Sequence, residues 1–401
     1  MGARDLIIAH AFSRDHPGRT GVELEWLVHA ADAPARPVTP VEIEAALDRI
    51  GGGLPGGAAL SLEPGGQLEL SSRAARSLGE CAENTARDLA VLREATAGRG
   101  LVLLGSGLDH RPVHLTVRAP RYVALSRYYE QFGDAGRTLL CGTASVQVNV
   151  DAGDASDGWR GRSRRWALTN ALGPVLMAMF ANSPAVLRGT RVRSARQMLR
   201  LQTDPARSTP PPAGEPRTSW AEYALDTSVV SVQCPATGRW DVPSPPFTLR
   251  RWLRGDGPRP VRTADVFHHL KSLVAPVRAT GHLELRMIDA QPDDDWVVPL
   301  AVVAALLDDE AASDAACRLV GAWPVRAGRP DWVYAARTGL SDPTLAAAAQ
   351  TVIRIAADGL TRLDTPPWVR AAVERYADTY TLRGLSPADL HLSRPPVVAV
   401  A

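Results

Sequence analysis

The chain is nearly devoid of lysine. Of its 45 basic residues only Lys271 is a lysine and the rest are arginine, a skew we assign to codon composition, because the two cations are not physically interchangeable. Net charge is missing as well. The 45 basic residues face 43 acidic ones, leaving a formal +2, so nothing points to nucleic acid or an anionic membrane as a partner. Cysteine is scarce and dispersed: Cys81, Cys141, Cys234 and Cys317 offer no zinc spacing and no disulfide framework, which points to a reducing cytoplasm. The longest apolar run, Trp296 to Leu307, contains Pro299 and is too short to span a bilayer. Leu6–Ala9, preceded by Arg4 and Asp5, is too short and too charged for a secretory signal. Internal repeats and heptads are absent too.

What is present is a set of alternating segments. In Leu60-Ser-Leu-Glu-Pro-Gly-Gly-Gln-Leu-Glu-Leu-Ser-Ser72, apolar and polar residues alternate on both sides of Pro-Gly-Gly. This pattern predicts strand, sharp bend, strand. Glu69 shares a face with Gln67 and Ser71, and Glu63 stands at the lip of the bend, beside glycines that permit close approach. Residues 21–28 predict a strand with Glu23 and Glu25 on one face. Residues 143–151 place Ser145, Gln147 and Asn149 opposite three valines, and His282–Asp289 places Glu284 and Arg286 opposite Leu283, Leu285 and Met287. Carboxylates are depleted in strands. Four strands carrying carboxylates, amides and an arginine are either one concave polar site or the wet face of a sheet.

Helices are expected from Thr39-Pro-Val-Glu42, a capping-box start, to about Ile50, and over 77–98 and 264–273. Residues 164–181 read as a core helix broken or restarted at Gly173-Pro174. The proline-rich stretch 204–218 reads as a mobile or extended loop within one domain. Beyond 296 the chain reads as helices, polar on one side and alanine-rich on the other.

In order, these segments resemble the glutamate–cysteine ligase family of carboxylate–amine ligases, most closely its actinobacterial branch acting in ergothioneine synthesis. The resemblance is carried by Gly21-Val-Glu-Leu-Glu25, Glu63-Pro-Gly-Gly-Gln-Leu-Glu-Leu-Ser71, Arg121-Tyr122 and Thr143-Ala-Ser-Val-Gln-Val-Asn149. Further along come Phe180-Ala-Asn-Ser-Pro184, Ser194-Ala-Arg-Gln197 with Asp204 and Arg207, Leu283-Glu-Leu-Arg286 with Asp289, and Arg383-Gly-Leu-Ser-Pro-Ala-Asp389. Any one motif is weak; the ordered set is specific.

The resemblance implies an α+β, glutamine-synthetase-like fold: a curved antiparallel sheet with a concave active-site face, backed by helices, in a single catalytic domain over 1–401. It implies ATP and Mg²⁺ as cofactors, with glutamate and cysteine, or another amine, as substrates joined through a γ-glutamyl phosphate. Glu23, Glu25, Glu63 and Glu69 are the expected metal ligands, since Mg²⁺ takes oxygen donors and bridges phosphates. Arg286 and Glu284 are the expected catalytic pair, and Gln147, Asn149, Arg196, Arg207 and Lys271 the expected substrate or ATP contacts.

Two departures stand out. Where the family carries a tryptophan after its Ser-x-Arg segment, this chain has Arg200, and the family's His-Leu-Thr-Thr-Leu-Phe is here His269-Leu-Lys-Ser-Leu-Val274. Two other readings stay open at this point. One is a paralogous ligase that joins glutamate or a similar acid to a different amine; the other is a non-catalytic relative that binds an amino acid or nucleotide.

Overall fold

The computed structural model describes residues 2–12, 18–244, 246–322 and 331–391. Its centre is a seven-stranded sheet: β1 (Thr20–Ala30), β2 (Ala59–Leu62), β3 (Leu68–Ser71), β4 (Leu101–Leu104), β5 (Ser145–Asp151), β6 (Val277–Ala279) and β7 (His282–Asp289). The order is β6-β7-β5-β1-β3-β2, with β4 also on β1. Every pairing is antiparallel. The eleven-residue β1 is the axis: its first half pairs with β5, its middle with β3, and Leu27–Ala30 with β4.

One face of the sheet is apolar. Val22, Leu24 and Trp26 of β1 lie beside Leu68 and Leu70 of β3, Val146 and Val148 of β5, and Leu283 and Leu285 of β7, all buried. Against this face pack the helices Leu78–Ala97, Arg162–Met179 and Val297–Asp308. Residues two apart on a strand share a face, so the polar members of the same strands all project to the opposite side.

The β2–β3 hairpin turns where Pro-Gly-Gly was expected to bend the chain. Gly66 has φ +87°, and a Cβ on Gly65 would lie 1.9 Å from the Cys141 carbonyl oxygen, so a side chain fits at neither position without displacement. Thr39 caps its helix as expected, its hydroxyl accepting from the Glu42 N–H while the Thr39 N–H donates to the Glu42 carboxylate.

Three local expectations are corrected. Helix Arg162–Met179 runs through Gly173-Pro174 without a break. Both residues are buried, and Trp332 lies so close that a Cβ on Gly173 would meet its ring at 2.1 Å. Packing on both sides outweighs the roughly 3 kcal/mol that an internal proline costs. The stretch 204–218 is not one loop: a short helix, Pro205–Ser208, buries Arg207, and the next helix already starts at Pro216. Helix Val297–Asp308 has no polar side, being buried from Val297 through Leu307. Among the described residues no helix is long and apolar enough to cross a membrane.

Candidate active site

Over the polar face of the sheet lies a cavity of about 380 Å³. Glu23 and Glu25 of β1, Glu69 of β3, Gln147 of β5 and Arg286 of β7 form its floor, and Glu63 enters from the hairpin tip. Its other walls are Arg121, Tyr122, Leu125 and Tyr129 from helix Pro120–Glu130, Leu139 and Leu140 from helix Gly133–Cys141, and Arg200 from helix Ala195–Thr203. Arg207, Val230, His268, Lys271 and Arg278 are also among the residues lining it.

Register explains why the acids meet. Glu25 lies directly across from Glu69, and Glu23 across from Gln147. Like charges directly opposite are destabilising in an ordinary sheet. Glu25 is held by Ser145 Oγ and Gln147 Nε2, each 2.9 Å away, Glu69 by Ser71 Oγ at 2.7 Å, and Glu23 by Asn149 Nδ2 at 3.1 Å. Burial, followed by Glu284, pushes the Glu23 carboxyl up to about 7; burial, followed by Glu25, does the same to Glu63. Glu69, raised by burial and then by Glu25, Glu63 and Glu23, reaches about 8.

Burial and mutual repulsion raise these carboxyls although Arg286, Arg278 and Arg121 oppose the rise, and such crowded oxygen donors suit a hard divalent cation. Their arrangement differs from a closed cage: among the described residues no three acidic, histidine or cysteine side chains converge on one point. The four expected ligands thus share one cavity with no three of them at one point. That suits Mg²⁺, which takes one or two protein carboxylates and completes its octahedron with water and phosphate oxygens.

Glu284 lies behind the floor rather than on it. Only 1% exposed, it accepts from Arg278 Nε at 2.6 Å and Nη2 at 2.9 Å, and from Arg286 Nη1. Burial alone would raise its carboxyl, but Arg278 and Arg286 overcome that and hold it down at about 2. Arg286 also donates to Gln147. Its place depends on a bulge in β7 between Leu285 and Ile288, where its own N–H donates to the Pro276 carbonyl at 2.8 Å.

The remaining expected contacts divide. Lys271 lines the cavity from its exposed rim. Arg207 lines it too, but its guanidinium is engaged by the Ser228 and Ser272 carbonyls and by Asp204 at 3.1 Å. Asn149 stands behind Glu23, its Oδ1 3.0 Å from His282 Nε2. Arg196, expected near substrate, is fully buried: it pairs with Asp289 at 3.3 Å and donates to the Arg286 carbonyl at 2.7 Å. It holds the bulge that aims Arg286. Sequence reasoning missed Arg278, Tyr129 and His268. The signal for Arg278 was its place one strand from Glu284, legible only once the register Arg278↔Glu284 is known.

With this geometry in place, the comparisons with known proteins decide the family. The model of glutamate–cysteine ligase family 2 matches residues 19–396. The chain belongs to that family. It is 37% identical over 384 residues to a glutamate–cysteine ligase, EgtA, of Mycobacterium tuberculosis, covering 93% of this chain and 85% of the relative. The EgtA of Mycolicibacterium smegmatis is also 37% identical, over 353 residues, covering 85% and 80%. The chloroplastic glutamate–cysteine ligase of Arabidopsis thaliana is 26% identical over 368 residues, covering 85% and 67%.

Among solved structures, a bifunctional glutathione synthetase from Pasteurella multocida matches with a TM-score of 0.53 at 13% identity. It covers 97% of this chain, which spans half of that one, and the likeness is one of fold. As a member of glutamate–cysteine ligase family 2 the chain is a ligase, with the α+β, glutamine-synthetase-like architecture that the resemblance implied. The family match together with two glutamate–cysteine ligases at 37% identity speaks for the enzyme over the non-catalytic reading.

Proposed function

We propose that the protein, acting as one catalytic unit in the cytoplasm, joins glutamate to cysteine at the expense of ATP, through γ-glutamyl phosphate, for ergothioneine or a related thiol. The observation that carries this reading is the cavity floor, where Glu23, Glu25, Glu63 and Glu69 stand beside Arg286. Glu23, Glu25, Glu63 and Glu69, one or two to an ion, would hold Mg²⁺, which would neutralise charge on the phosphoryl oxygens.

The chain's own residues position and stabilise. Arg286 is kept charged because Glu284, Glu23 and Glu25 more than offset the effect of burial. Its fixed guanidinium can meet the oxygens on which charge gathers as the phosphoryl group moves to the γ-carboxylate and ADP leaves. Gln147 bridges Arg286 and Glu25 and fixes both. Tyr129, Leu139 and Leu140 form an apolar wall beside which the amine would attack the acyl phosphate and phosphate depart. The cysteines take no part: none of the four is among the residues lining the cavity, burial pushes Cys81 up to about 11 and Cys141 up to about 12, and an acyl phosphate route needs no thiol nucleophile.

The test is phosphate release from ATP with glutamate and a panel of amines, wild type beside Glu63→Gln. Release with cysteine, lost in the variant, is expected. Release only with a non-thiol amine would transfer the reading to a paralogous ligase with a different acceptor. Unchanged release in Glu63→Gln at saturating Mg²⁺ would overturn the carboxylate assignment.

A further inference from the structure

Arg200 stands apart from the other cations of the cavity. Arg286 is bonded to Glu284 and Gln147, Arg278 to Glu284, Arg207 to two backbone carbonyls, and Arg121 to the Tyr122 hydroxyl at 2.9 Å. Lys271 is at the rim. In Arg207 and Arg286 only Nε is buried without a hydrogen bond; in Arg200 both Nε and Nη1 are. Leaving two donors of a guanidinium buried and unbonded is costly. Fold stability does not explain it, because Arg196 and Arg286 repel this charge from nearby.

The surroundings say what would satisfy it. Arg200 lies within electrostatic reach of Tyr129 and of Glu25, and all three line the cavity. Tyr129 belongs to an apolar wall with Leu125, Leu139, Leu140 and Val230. The carboxylates suited to a cation and its phosphates occupy the sheet side. A guanidinium that lines the cavity and has two donors without a protein acceptor suits a planar carboxylate on a short aliphatic body, which it can bind bidentately once its side chain turns to meet it.

We propose that Arg200 is a specificity-determining residue that takes the α-carboxylate of one of the two amino acids joined in this cavity. This rests on the ligase reading above and adds to it the residue that recognises an amino acid rather than a simple acid or amine.

The test is equilibrium titration of wild type, Arg200→Met and Arg200→Lys, with Mg²⁺ and a non-hydrolysable ATP analogue present. The ligands are glutamate, cysteine and their counterparts lacking the α-carboxylate, 4-aminobutyrate and cysteamine. Arg200→Met is expected to weaken one amino acid about ten- to a hundredfold, the loss of a charge-assisted bidentate contact, while its decarboxylated counterpart and the nucleotide analogue bind as before. Arg200→Lys recovers part of the loss. The amino acid affected identifies the source of the carboxylate.

Since Arg200 has no partner to strand, Arg200→Met should also melt no lower than wild type. Equal binding of both amino acids by wild type and Arg200→Met would overturn the inference alone. So would equal losses for an amino acid and its decarboxylated counterpart, a loss confined to the nucleotide, or a strongly lowered melting temperature. Wild type binding neither amino acid would remove the ligase reading as well.

Discussion

Replacing Glu69 with glutamine should stabilise the metal-free protein at alkaline pH while impairing turnover. Glu69 faces Glu25 across the β1–β3 ladder, where Cβ atoms sit about 4.5–5.5 Å apart. Two unit charges about 5.5 Å apart repel by about 3 kcal/mol at an effective dielectric constant of about 20. Glutamine keeps the shape and an acceptor for Ser71 Oγ, so little else is lost. Unfolding entropy of about 2.1 cal/mol/K per residue, over 401 residues, converts that energy into a rise in Tm of about 3–4 °C.

The pH dependence has a definite sign. Glu69, held near 8 when folded, and Glu23 and Glu63, held near 7, each ionise near 4.5 in the unfolded chain. Between about 4.5 and 8 the unfolded state therefore binds fewer protons, and stability falls as pH rises. The assay is calorimetric melting with a chelator from pH 5 to 9. Wild type should lose Tm across that range, and the advantage of Glu69→Gln should be small at pH 5 and largest above pH 8. Added Mg²⁺ should stabilise wild type more than the variant. A variant that melts lower than wild type at pH 8.5, or by the same margin at every pH, would refute the reasoning.

Glu284→Gln should do the reverse. It leaves Arg278 without its ion-pair partner and takes from Arg286 the carboxylate bonded to it, so we expect a loss of about 3–5 kcal/mol and a collapse of turnover, read by melting and by phosphate release. Changing all four cysteines to serine or alanine should leave a measurable ligase; complete loss from one Cys→Ser change in a folded protein would reopen a covalent route. Lys271→Thr, at the exposed rim, should shift preference within the amine panel towards cysteine if the ammonium meets substrate; an unchanged profile would make Lys271 a surface residue.

Much of the site was legible because a strand repeats every two residues. That alone put Glu23 with Glu25, Gln147 with Asn149, and Glu284 with Arg286, and the sheet kept each pair together. Facing partners were not legible, since register is decided by contacts far apart in the chain. The repulsive Glu25–Glu69 pair and the Arg278–Glu284 pair therefore appear only in three dimensions. Arg196 and Glu284 were expected at the reaction centre, yet both stand one layer back. A sequence pattern can place a charge on a face but cannot say whether another side chain covers it. The helix break expected at Pro174 failed for a related reason, because Trp332 and the sheet, remote in sequence, hold that helix straight.

Gly65 has a consequence beyond its turn. Pressed on the Cys141 carbonyl, it joins the hairpin tip that carries Glu63 to the end of the helix that carries Leu139 and Leu140. The Pro64 carbonyl is also taken by the Thr116 and Val117 N–H groups, and Tyr122 reaches both Leu62 and Glu63. The wall that shelters the substrate and a carboxylate of the charged floor are thus one mechanical part, clipped at a point with no room for a methyl group. Any mutation of Gly65 reaches both at once, so the position should behave as an on–off site for activity although its own residue has no chemistry to lose.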